Sequence, residues 1–272
     1  MKEIMQKLEK MSGNRPIELV ERKGEGKKLI EYYGDFVPEQ WITAAGAESY
    51  LIMKGGDPQA PEATLDYSLR FMTPLAASMV GNYLRGVDRV MPMADGVAIQ
   101  QHDCHYGRMT EILEFKGVPV YKVGVPADNV VGISQQYYRH ELREFRDFLE
   151  KVVGHPLDEK AVHECYAKTN KINELVRKIG ELRKKDNSPI TFSDFIRLNH
   201  YTLRVDYDTS IDALTKIYEE LKDAPGAHPE GAPRILIMGR AVAEGDYVVP
   251  SLIEAAGSAI VCDFLDEAIR PY

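Results

Sequence analysis

The stretch KKLIEYYGDFVPEQWITAAGAESYLIMKGG, residues 27–56, decides the fold. Its first apolar run ends at Gly34, a helix opens near Pro38 and stops at Gly46, and a second apolar run follows at Tyr50 to Met53. Short apolar runs bounded by glycine read as strands, and proline just inside a helix start with glycine just past its end is the usual asymmetry of helix termini. The order is strand, helix, strand. Working outward, it repeats: a helix over Leu65 to Leu84, a strand at Arg89 to Met93, a helix from Gly107 to Lys116 and a strand at Pro119 to Val123. Strands alternating with helices predict an α/β fold with a parallel sheet covered on both faces.

Ahead of this stretch, Ile4, Met5, Leu8 and Met11 fall at helical spacing, and Ser12-Gly13-Asn14 with Pro16 predicts a break. Behind it, residues 134–221 change character. YYRHELREFRDFLEKVVG (137–154) and DEKAVHECYAKTNKINELVRKIGELRKK (158–185) are long, charged and 3.6-periodic, with Asp158 a candidate cap for the second helix. This is a helical segment, a packing layer with a solvated charged face. After the linker APGAHPEGAP (224–233), RILIMG reads as a buried strand, then a helix over Tyr247 to Ala256 and a strand over Ala259 to Asp263. Two strands and one helix make a poor domain, so a partner or further polypeptide is expected to complete it. The expected organisation is an N-terminal helix and first strand (1–34), a flavodoxin-like parallel α/β domain (35–133), a helical segment (134–225) and a partial second parallel α/β domain (226–272).

With 44% apolar residues, the 272-residue chain can bury a core of this kind. A formal net charge of −8 excludes the basic face that phosphate contacts require, so nucleic acid is not an expected partner. No run approaches the roughly 18 apolar residues of a membrane helix, and the start MKEIMQKLEKM lacks a signal-peptide core, so the expected location is the cytoplasm. Cys104, Cys165 and Cys262 are odd in number and widely spaced, which argues against a disulfide framework.

Chemistry concentrates in QQHDCHYGRMTEILEF, residues 100–115, where a strand-like run and Asp95-Gly96 lead to a polar turn with Cys104 just before a helix. Loops at the carboxyl ends of parallel strands are where open α/β sheets bind ligands. A thiol at a helix N-terminus sees the positive end of the dipole, which favours the form that ligates metal. A cysteine packed under the turn is the plainer alternative. His102, Asp103 and His105 flank Cys104 and raise a zinc site, although adjacent residues seldom converge on one tetrahedral ion; either histidine could instead serve as acid or base. Tyr33 and Glu39 fall in a neighbouring candidate loop. Cys165, on an amphipathic helix, and Cys262, ending the strand AIVC, read as buried filler. No glycine-rich phosphate loop and no GxSxG elbow is present, and the loop GRAVAEGD (239–246) gives only a weak ligand signal.

Together these features resemble the 2-hydroxyacyl-CoA dehydratase and benzoyl-CoA reductase subunit family over nearly the whole chain. The resemblance is carried by YGDFVPEQWITAAGAE (33–48), MTPLAASMVG (72–81), HDCHYGRMTEILEFKGVPVYKVGVP (102–126), the helices of 137–164 and 168–179, and PRILIMGRAVAEGDYVVPSLIEAAGSAIV (233–261). It implies a cofactor chemistry: a 4Fe–4S cluster held by three cysteines between two α/β domains, a separate ATP-dependent activator that injects one low-potential electron, and an acyl-CoA thioester substrate that is dehydrated or reduced. By that resemblance Cys104 takes the second ligand position. The first would fall at Thr73, where the family often has Met-Cys-Pro and a hydroxyl stands instead, and the third is not matched by Cys262. The resemblance therefore implies a subunit with an incomplete ligand set, whose cluster is held by, or shared with, a homologous cluster-bearing partner. A homologue kept as a non-catalytic structural subunit is the alternative.

Overall fold

A computed structural model describes residues 1–68, 71–128 and 132–270. The chain divides into two compact units, Pro16–Cys165 and a second made of Met1–Arg15 with Tyr166–Tyr272. The boundaries fall inside helices α1 (Lys2–Gly24) and α7 (Glu159–Glu181). The expected break at Ser12 to Pro16 is absent, and α1 runs straight through it. Proline lacks one N–H and forfeits one ladder bond, which a long helix packed at Leu8 and Leu19 tolerates.

In the first unit, β1 (Leu29–Tyr33), α2 (Glu39–Ala44) and β2 (Glu48–Leu51) form as the 27–56 stretch predicts. A short helix α3 (Gln59–Glu62) and α4 (Pro74–Leu84) follow, then β3 (Gly96–Gln101), α5 (Cys104–Phe115), β4 (Val120–Gly124) and α6 (Ile133–Val153). All four strands are parallel in the order β2-β1-β3-β4, the start of a flavodoxin-like winding. The central strands β1 and β3 are buried almost throughout, as a sheet covered on both faces demands. Ile112 and Leu113 of α5 and Phe145 and Leu149 of α6 are buried core residues. The Trp41 ring stacks on Phe145 at 6.5 Å, and Tyr121 on Phe148 at 4.5 Å. Helix α3 approaches α4 so closely that a Cβ at Gly81 would lie 1.7 Å from the Ala60 carbonyl oxygen, so only glycine fits.

Two expectations fail here. Residues Met91–Met93 are a 3₁₀ turn rather than a strand: Pro92 cannot join a ladder, and the Asp88 carboxylate accepts from the Val90 and Met91 amides at 2.9 and 3.1 Å. The helix expected from Leu65 begins only at Pro74, where Thr73 caps it; part of that expectation, residues 69 and 70, lies outside the described residues.

In the second unit, α7 is followed by α8 (Phe192–Thr202) and α9 (Tyr207–Leu221). Asp158 caps α7 as expected, accepting from the Lys160 amide at 2.9 Å. These helices share a core that includes Leu8, Val176, Phe195, Ile196, Leu214 and Ile217. Strands β5 (Arg234–Met238) and β6 (Ala259–Phe264), joined through α10 (Val248–Ala255), form a two-stranded parallel sheet. Ile235, Ile237 and Ile260 pack into the helical core. A buried ion pair, Arg183 to Asp263 at 2.7 Å, has its guanidinium over Phe192 and Phe195. On the opposite face Leu236 pairs with Cys262 and Met238 with Phe264, and all four are exposed. RILIMG is thus no buried strand: a parallel strand is covered on both faces only when a layer lies over each.

Candidate functional site

The turn between β3 and α5 is built from the residues the sequence singles out. Asp103 is the N-cap of α5, its backbone extended and its Oδ1 accepting from the His105 and Tyr106 amides at 2.9 and 3.2 Å. An aspartate there satisfies free amides and complements the helix dipole. Cys104 is the first helical residue and is exposed to solvent, so the reading of a cysteine packed beneath the turn is excluded. The turn stands at the carboxyl edge of the parallel sheet.

His102 is held from three sides. Its Nδ1 lies 2.9 Å from Gln100 Nε2, its Nε2 lies 3.5 Å from Asp103 Oδ2, and its ring lies over Tyr106 with centroids 4.6 Å apart. Tyr106 is fully buried, and its hydroxyl meets that of Tyr33, the last residue of β1, at 2.6 Å. The adjacent turn after β1 joins the same network, because Gln100 Oε1 accepts from the Phe36 amide at 3.0 Å and the Tyr138 hydroxyl donates to the Phe36 carbonyl at 2.8 Å. Glu39 is nearly buried at the start of α2.

His105 turns elsewhere, its ring 6.0 Å from Phe71. Phe71 lines a cavity of about 400 Å³ together with Leu65, Tyr67, Ser68, Asp66 and Arg108. Arg108 donates to the Tyr67 carbonyl and pairs with Glu111 at 2.8 Å. The lining mixes apolar side chains with the Asp66 carboxylate, the Ser68 hydroxyl and the Arg108 guanidinium.

Among the described residues no three His, Cys, Asp or Glu side chains are placed to hold an ion. The zinc reading on His102, Cys104 and His105 fails because one ring is drawn onto Gln100 and Tyr106 and the other onto Phe71. Thr73 has structural work: its hydroxyl caps α4, accepting from the Ala76 amide at 3.4 Å. Cys165 is half-buried on α7, and Cys262, expected to be buried, is exposed on β6.

The sequence singles out Cys104, Asp103 and His102 in this turn, but not Gln100, Tyr106 or Gly34, which the structure places around it. A signal for Gly34 existed. Its φ is +106°, and a Cβ there would lie 1.9 Å from Gln100 Cδ. A glycine directly after an apolar strand and before a polar turn reports such an approach.

Among the described residues no helix is long and apolar enough to cross a membrane. Residues 36–270 match the family model described as 2-hydroxyglutaryl-CoA dehydratase, D-component. The chain is also 24% identical over 247 residues to a protein of Escherichia coli (strain K12) named "Putative dehydratase subunit YjiM", covering 89% of this chain and 64% of that relative. It thus spans under two thirds of the relative's length. With the parallel α/β fold and the match over residues 36–270, the chain belongs to the 2-hydroxyglutaryl-CoA dehydratase D-component family.

Proposed function

We propose that this chain is a subunit of a 2-hydroxyacyl-CoA dehydratase or benzoyl-CoA reductase-type complex acting on CoA thioesters by low-potential single-electron chemistry in the cytoplasm. A homologous partner subunit carries the full 4Fe–4S cluster, and a separate ATP-dependent activator supplies the electron. The observation that carries this reading is the exposed Cys104 at the first turn of α5, on the carboxyl edge of a parallel sheet in a chain of this family. This chain offers Cys104 as a single thiolate ligand to a shared site. His102, Asp103 and Gln100 keep the turn in one shape, and the cavity beside Phe71 and Arg108 accommodates part of the substrate. Thr73 holds a helix end and contributes no ligand.

The test is anaerobic co-expression with a homologous subunit that has all three cysteines, followed by iron and sulfide analysis, ultraviolet–visible and EPR spectra, and turnover with an activating ATPase. The expected result is a brown, active complex in which Cys104→Ser lowers iron content. A colourless complex without iron or activity would overturn the reading. A partner whose iron and turnover are the same with and without this chain would make it a structural subunit instead.

A further inference from the structure

We infer that Gln100 is the positioning residue that locks the Cys104 turn to the turn after β1, so that the two carboxyl-edge loops behave as one body. The inference rests on the reading of Cys104 as the group this chain presents. Gln100 is 6% exposed, and one planar amide spans both turns. Its orientation follows from its neighbours: the Phe36 N–H can only donate, so Oε1 faces it at 3.0 Å and the amide nitrogen must face His102 at 2.9 Å. An amide nitrogen can only donate in turn, so His102 Nδ1 accepts, and the other ring nitrogen lies 3.5 Å from Asp103 Oδ2. Asp103 Oδ1 binds the first amides of α5. The contacts thus run from Phe36 through Gln100, His102 and Asp103 to the helix end that bears Cys104.

Two further features bear on this path. Gly34, at φ +106°, leaves free the space the Gln100 side chain crosses, which any Cβ would fill. Below it the Tyr33 and Tyr106 hydroxyls meet at 2.6 Å, joining β1 to α5 a second time in a buried setting. Outer partners that orient a ligand-bearing element in this way fix its geometry without touching the ligand.

The experiment uses the full chain and the substitutions Gln100→Leu, which removes donor and acceptor at similar size, and Gln100→Glu, which keeps an oxygen for Phe36 and places the other against His102. In Gln100→Leu, amide exchange at Phe36 and, remotely, at His105 and Tyr106 accelerates about fivefold, the effect of one lost hydrogen bond. The ratio of the Cys104 to the Cys262 alkylation rate by iodoacetamide changes with it. In Gln100→Glu, which still offers an oxygen to the Phe36 amide, exchange at Phe36 returns toward the parent rate. Acceleration confined to Phe36 or an unchanged alkylation ratio overturns the inference. Should Gln100→Leu fail to fold, Gln100→Asn, one methylene too short to reach both turns, is read by the same criteria. An iron-free partner complex combined with these shifts would sink the functional reading and leave the positioning intact.

Discussion

Strands β3 and β5 are both apolar parallel strands, yet β3 is buried from Gly96 to Gln100 whereas Arg234, Leu236 and Met238 of β5 are exposed. The difference is one of neighbours. Strand β3 has β1 on one side, β4 on the other and buried helical residues of α5 and α6 in its unit; among the described residues β5 pairs with β6 and has a helical core against one face. Apolar sequence declares what a strand can bury, and the surrounding layers decide whether it does.

The sharpest way to break this comparison is a matched truncation. Ile99→Ala removes a fully buried side chain and should cost about 2–5 kcal/mol, whereas Met238→Ala, 74% exposed in the parent, should change stability by no more than about 0.5 kcal/mol. Urea unfolding, followed by the fluorescence of Trp41 for the first unit and by amide exchange for the second, measures both. Comparable costs would mean that β5 is covered in solution.

Acid should act on the second unit selectively. Burial pushes the His200 imidazole down to about 4, with Glu244 opposing that shift and Arg204 adding to it, while its Nδ1 shares a 2.7 Å hydrogen bond with the Tyr247 hydroxyl. The folded chain therefore binds this proton more weakly than the unfolded chain. Stability is full above the ordinary histidine value of about 6.5, falls between there and pH 4, and levels off below, for a loss of up to about 3 kcal/mol. Exchange of α8 amides should quicken across that window while Trp41 fluorescence holds, and His200→Gln should flatten the response. A loss confined to the first unit would contradict it.

The smallest effect compares like with like. Asp103 caps α5 in one unit and Asp206 caps α9 in the other, the latter accepting from the Thr209 amide at 2.8 Å. Replacing either by alanine should cost about 1 kcal/mol. A larger loss at Asp103, read from thermal melts, would measure what its contact with His102 adds.

Much of the first unit was readable in advance because its signals are local. Gly34, Pro38 and Gly46 punctuate β1, α2 and β2 within a few residues, whereas α5, expected from Gly107, starts one turn earlier because Asp103 caps it. What was not readable depends on distance. Gln100 acquires its meaning from Phe36, 64 residues away, and nothing in its immediate sequence marks that contact. The Arg89–Met93 reading failed through a local competitor, the Asp88 carboxylate, whose turn-forming capacity was outweighed by an apolar count. The exposure of β5 escaped for the opposite reason: periodicity describes a strand and says nothing about which layers the rest of the molecule provides.

The uncovered ladder of the second sheet carries two sulfur atoms, in Met238 and Cys262. An oxidant reaches both without opening the fold, and the sulfoxide or sulfenic acid it leaves is polar and already at the surface, so oxidation there makes the strip more water-compatible instead of disrupting a core.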